Sequence, residues 1–198
     1  MSELRTFVAL GFRHITDLDA MDHILFLCAL AAIYRLRDWR GSLWVITAFT
    51  VGHSVTLALA VTGVLTLPTR LIEFLIPVTI VATCVQNLTV RDAALAPRWG
   101  RYRPLLAAAF GLVHGAGFAN YLRSLFVAPI AVPLFGFNVG IELGQLVVLT
   151  GAALALAGVD RLIALGTRGP QALRLRVVAV SAAVLLIAAR WAVERRPW

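Results

Sequence analysis

The chain has 198 residues, of which 60% are hydrophobic and only 14% charged, and its formal net charge is +8. A soluble domain is nearer about 45–50% apolar and about 25% charged. This chain has too few polar groups to cover a water-facing surface, so it reads as a membrane protein. Its basic residues are all arginine and sit mostly at the ends of apolar runs, with no aromatic-interleaved basic stretch. That argues against a nucleic-acid surface.

The opening MSELRTFVALGFRH is too short an apolar stretch for a cleavable signal peptide, and no small-residue cleavage site follows it. It is expected to form an outer segment, residues 1–18. Apolar runs then recur at about the length that crosses a bilayer core. Six spans are predicted, over about 19–34, 41–64, 69–90, 104–122, 133–159 and 172–193. Pro68, Pro104 and either Pro129 or Pro133 stand where the third, fourth and fifth would open. The expected fold is all-α, a polytopic bundle of about six transmembrane helices in one domain. Cys28 and Cys84 fall inside apolar runs and form no CxxC, so each is expected to be a buried thiol.

Arginine placement predicts orientation. Arg35, Arg37 and Arg40 follow the first span, Arg91, Arg98, Arg101 and Arg103 the third, and Arg161 and Arg168 the fifth, with Arg174 and Arg176 just beyond. The second and fourth connections offer only Arg70 and Arg123. Odd-numbered connections are therefore expected in the cytoplasm and the N-terminus outside. Arg195 and Arg196 fit that pattern less well, which makes the sixth span the weakest of the set.

Polar residues inside the spans carry the chemistry. His14 and His23 lie in GFRHITDLDAMDHILFL, His53 in FTVGHSVTL, and His114 in GLVHGAGFAN. On the fifth span, Asn138, Glu142 and Gln145 share one helical face, while Gly136, Gly140 and Gly144 form a stripe opposite. Small residues four apart let helix backbones approach closely, so this helix is expected to pack one side and turn the other to a polar interior. At 1.5 Å per residue, His53, His114 and Glu142 fall about 14–18 Å into their spans, near the midplane. Asp22 and His23 would sit at the outer mouth of the first. An unpaired carboxylate at that depth costs at least a few kcal/mol, so Glu142 needs a partner or a functional reason.

Imidazole with carboxylate suits borderline divalent metals such as nickel, cobalt and zinc, whereas copper(I) would favour thiolates and thioethers. Plainer roles compete. Asp19 suits a helix N-cap, with Asp22 supporting it from the first turn. Ser54 suits a bond to its own helix's carbonyls, and a lone membrane histidine is often a packing residue. Two mid-helix histidines together with a glutamate shift the balance toward a site.

Taken together, GFRHITDLDAMDHILFLCAL, FTVGHSVTLAL, GLVHGAGFAN and FNVGIELGQL resemble, in order, segments of the HupE/UreJ family of membrane proteins. That family is associated with nickel uptake for hydrogenase and urease. The resemblance runs from the N-terminus through the fifth span, and the sixth matches only in hydropathy. It implies metal contacts for His14, Asp22, His23, His53, His114 and Glu142. Seven residues separate His14 from Asp22, longer than the family's spacing. That has His14 either reaching the metal from a turn or standing apart from it.

The function expected is a secondary permease for a divalent transition metal, nickel and then cobalt, with zinc as a further candidate. Asp22 and His23, with His14, would capture the ion, and His53, His114 and Glu142 would hold it near the midplane. Asp19, Ser54, Asn138 and Gln145 would line the path. A rival is a zinc-dependent intramembrane hydrolase with Glu142 or Asp22 as general base, although the chain has no HExxH. A weaker one makes His53 and His114 haem ligands. The partners expected are membrane lipids and the metal ion, with a second copy of the chain and a cytoplasmic metal chaperone as candidates, and no nucleic acid. The location expected is a cell membrane, specifically a bacterial inner membrane.

Overall fold

The computed structural model of the chain describes residues 2–18, 21–34, 38–89, 102–125, 130–163 and 170–198. Among them stand seven helices and no strand: α1 (Glu3–Thr16), α2 (Met21–Ile33), α3 (Trp39–Val61), α4 (Thr69–Thr89), α5 (Arg103–Leu125), α6 (Ala131–Ile163) and α7 (Pro170–Glu194). Helix boundaries follow local chemistry. Gly63, at φ 78°, takes the left-handed conformation just beyond α3 and stops it. Pro68 opens α4, its carbonyl accepting the N–H groups of Leu71 and Ile72 at 3.0 and 3.2 Å. Pro104 and Pro170 lie at the starts of α5 and α7, where a missing N–H costs nothing.

Four helices, α3, α4, α6 and α7, are long and apolar enough to cross a membrane. The fold is therefore an all-helical bundle of the membrane type. Helix α7 corresponds to the sixth predicted span, and it is well seated, with Val184 and Ala188 in the core. The first predicted span is resolved differently from expectation. Residues ahead of it form a separate helix, α1, and α2 has only 13 residues. At 1.5 Å each that is about 20 Å, short of the roughly 30 Å hydrocarbon core. Helix α5 has 23 residues but carries polar and glycine positions throughout.

Three closely packed helix pairs, α3 with α5, α1 with α6 and α4 with α7, surround α2. Nine of α2's 13 residues are buried, as a helix apolar all round requires. Glycine makes two of these pairings possible. The Gly136, Gly140 and Gly144 stripe lies against α1: a Cβ on Gly140 would overlap the Val8 carbonyl, and one on Gly144 would stand 2.9 Å from Ile15 Cβ. Gly11 answers from α1 against the Phe137 carbonyl. Between α3 and α5, Gly52 meets the Ala108 carbonyl, Gly111 that of Phe49, and Gly115 that of His53. The stripe predicted to pack against a neighbour does so, and the neighbour is α1.

Arginines tie down the far end of α2. Arg176, 3% exposed, donates to Asp160 Oδ2 at 2.6 Å and to the carbonyls of Ala32 and Tyr34 at 3.2 and 2.8 Å. Arg103 donates to Asn87 Oδ1 at 2.9 Å, and Asn87 Nδ2 donates to the Ala29 carbonyl at 2.7 Å. Cations so placed satisfy carbonyls that a helix C-terminus leaves without partners. This end gathers the termini of α2, α4 and α6 with the starts of α5 and α7, the same ends that border the predicted arginine-rich connections.

Candidate metal centre

The site is built at a break in the chain. Helix α1 ends at Thr16, Asp17 adopts an extended backbone (φ −69°, ψ 134°), and α2 begins at Met21. Across this break the last turn of α1 meets the first turn of α2. His14 thus reaches its neighbours from a helix: its ring lies 4.7 Å from that of His23 and 6.2 Å from that of His53, centre to centre. The His23 and His53 rings are 6.5 Å apart.

One ligand nitrogen from each of His14, His23 and His53 lies within 4.8 Å of the others, and among the described residues this is the only such group. Metal–imidazole bonds of about 2.0–2.1 Å hold two nitrogens at most about 4.2 Å apart, so small ring rotations would close the trio on an ion. His53 is fully buried and His23 is 5% exposed. Phe118 and Phe137 pack on His14, with ring centres 4.0 and 5.7 Å away, and Phe49 packs on His53 at 6.1 Å. Inside this apolar wall His14 Nε2, His23 Nε2 and both nitrogens of His53 have no hydrogen-bond partner among the described residues. Buried nitrogens left without partners cost free energy, and a cation is one group that would satisfy several at once.

Asp22 is bound to its neighbour. Its Oδ1 accepts the His23 backbone N–H at 2.9 Å and faces His23 Nδ1 at 3.0 Å. A carboxylate on one imidazole nitrogen fixes the proton there and leaves the other nitrogen bare. The acid also sits in the first turn of α2, where a negative charge complements the helix dipole. His114 stands beside the trio, its ring 5.1 Å from that of His23. Its Nε2 contacts Thr79 Oγ1 at 3.1 Å and its Nδ1 is unpartnered. His23, expected at an outer mouth apart from the midplane site, is in one cluster with His53 and His114. Helix α2 begins at the level where α3 and α5 present their histidines.

The α6 residues take other partners. Glu142 Oε1 accepts a hydrogen bond from Thr47 at 2.8 Å, and Gln145 Oε1 one from Thr50 at 2.8 Å. Asn138 Nδ2 donates to the Leu134 carbonyl at 2.9 Å, while its Oδ1 is buried without a partner. Ser54 donates to the Thr50 carbonyl at 2.6 Å, the bond to its own helix expected from its type. Asp19 lies outside the described residues. Sequence reasoning missed Thr47, Thr50 and Thr79, because a threonine in an apolar helix is most simply bonded to its own backbone. The available signal was that Thr47 and Thr50 precede His53 on the same helix.

Helices of membrane-crossing length around a buried cluster of imidazoles define an integral membrane protein with a metal-capable centre. The model of the HupE / UreJ protein family matches residues 1–195, so the chain belongs to that family. No curated protein and no solved structure gives a significant match.

Proposed function

We propose that this chain is a secondary permease for a divalent transition metal, nickel first and cobalt next, carrying it from outside to the cytoplasm. The observation behind this is the convergence of His14, His23 and His53 from three helices, their nitrogens within 4.8 Å and several of them bare. Family membership agrees with it. Three imidazoles favour a borderline ion over calcium or magnesium, which prefer oxygen. The ligand set is lean in charge, with Asp22 held on His23 and not in the trio. A site of this kind retains an ion weakly enough to release it, which conduction demands.

In this proposal His14, His23 and His53 take the ion, Asp22 orients His23, and His114 receives it next. Glu142 is the carboxylate that exchanges a proton or balances charge as metal passes, since ligands must be deprotonated to bind. Asn138, Gln145 and Ser54 stand along the α3–α6 seam. No GxxxxGK[ST] motif occurs in the sequence, so direct coupling to ATP would need a partner protein. The hydrolase alternative gains no support: of its two candidate bases, Glu142 is bonded to Thr47 and stands outside the histidine trio, and Asp22 is held on His23.

Reconstitution in sealed liposomes tests the proposal. Wild-type protein should accumulate nickel in the lumen, and His23→Ala and His53→Ala should each abolish accumulation while the protein remains folded. Wild-type uptake in both variants would sink it.

A further inference from the structure

Thr79 makes two contacts through one oxygen. Its Oγ1 lies 2.7 Å from the Ile76 carbonyl oxygen on its own helix and 3.1 Å from His114 Nε2 on α5. A threonine hydroxyl has one proton. A carbonyl has none to give, so the shorter contact requires the hydroxyl to donate to Ile76. Toward His114 the oxygen can then only accept, and Nε2 must carry the ring's N–H.

A neutral imidazole has one N–H and one bare nitrogen, so the bare one on His114 is Nδ1. That nitrogen is buried and has no partner, and its ring stands 5.1 Å from His23. The arrangement parallels Asp22 on His23, where the outer partner occupies Nδ1 and frees Nε2. Thr79 itself is 7% exposed, two residues beyond Pro77, which interrupts the backbone hydrogen bonding of α4.

We infer that Thr79 is a positioning residue: by accepting the His114 Nε2–H it fixes the tautomer that offers Nδ1 as the ligand next in line after the histidine trio. The tautomer follows from the hydrogen bonds alone, while its use as a ligand rests on the permease reading. In that setting α4 contributes to the metal route without supplying a ligand of its own. Valine at position 79 matches threonine in shape and removes the acceptor, and serine restores it.

The test is nitrogen-15 NMR of histidine-labelled protein in lipid nanodiscs, with the His114 signals identified by their loss in His114→Asn, together with nickel titration of the same samples and nickel uptake by the same variants in sealed liposomes. Wild-type and Thr79→Ser protein should show His114 protonated at Nε2. Thr79→Val should lose that preference and carry nickel into sealed liposomes about tenfold or more slowly, the usual loss of activity when an outer-shell partner of a metal-binding histidine is removed. A wild-type His114 protonated at Nδ1 would overturn the inference, and this readout stands even if Thr79→Val fails to fold. So would a folded Thr79→Val with the wild-type tautomer or wild-type nickel uptake. Failure of wild-type protein to bind nickel at all, with the Nε2–H tautomer present, would instead remove the permease reading and leave the tautomer assignment standing.

Discussion

Replacing Gly140 with alanine tests whether the α1–α6 contact sets the metal centre. An added Cβ would overlap the Val8 carbonyl and stand 2.7 Å from the Phe12 backbone nitrogen, where ordinary contact begins near 3.4 Å. The obstruction is backbone, which cannot rotate away. Helix α1 must therefore retreat from α6 by about 0.7 Å or more. His14 lies two residues beyond Phe12 and moves with it, away from His23 and His53, whose nitrogens already need a slight contraction to close on an ion. Overpacking of this kind costs about 1–3 kcal/mol, and loss of one well-placed ligand should weaken nickel binding by about tenfold or more. The assay pairs thermal unfolding in detergent with nickel titration. Gly151→Ala and Gly158→Ala serve as controls on the same helix, because a Cβ at either position meets nothing within 4 Å. Both controls should leave nickel affinity unchanged. Wild-type stability and affinity in Gly140→Ala would refute the reasoning, since α1 would then not be fixed by its contact with the glycine stripe.

Two further outcomes are expected. Asp22→Ala should weaken nickel binding about 10–100-fold by freeing the His23 ring, whereas Asp22→Asn, which keeps an oxygen for His23 Nδ1–H, should lose far less; equal losses in the two titrations would make Asp22 a direct ligand. Arg176→Ala should lower stability by about 2–3 kcal/mol, somewhat under the 3–5 for a fully buried pair because Asp160 is a third exposed. Thermal unfolding reads that difference, and an unchanged transition would show that the arginine does not anchor the end of α2.

Much of the helical plan was legible because membrane burial is written locally. Runs of apolar residues, the prolines at helix starts and the Gly136–Gly140–Gly144 periodicity each depend on neighbours a few residues apart, and all reappear as helices, starts and a packed face. The candidate residues were visible for a related reason. A histidine or carboxylate within an apolar span is costly enough to stand out in a sequence without any structure. Helix α1 was not legible, since its apolar positions suffice to pack against glycines of α6 but not to signal a span.

What the chain order alone determined is therefore the helical membrane character and the short list of polar residues within it. Which of these meet was decided only in three dimensions. His14 belongs with His23 and His53 because the last turn of α1 meets the first turn of α2, and because glycines on α6 and α5 let backbones come close enough for the three rings to gather. Glu142 pairs with Thr47, and Gln145 with Thr50, by contacts between helices that spacing along one helix ranks equally with many others. Hydrophobic periodicity specifies the face each helix buries, but the depth at which one helix starts beside another is a property of the packed bundle.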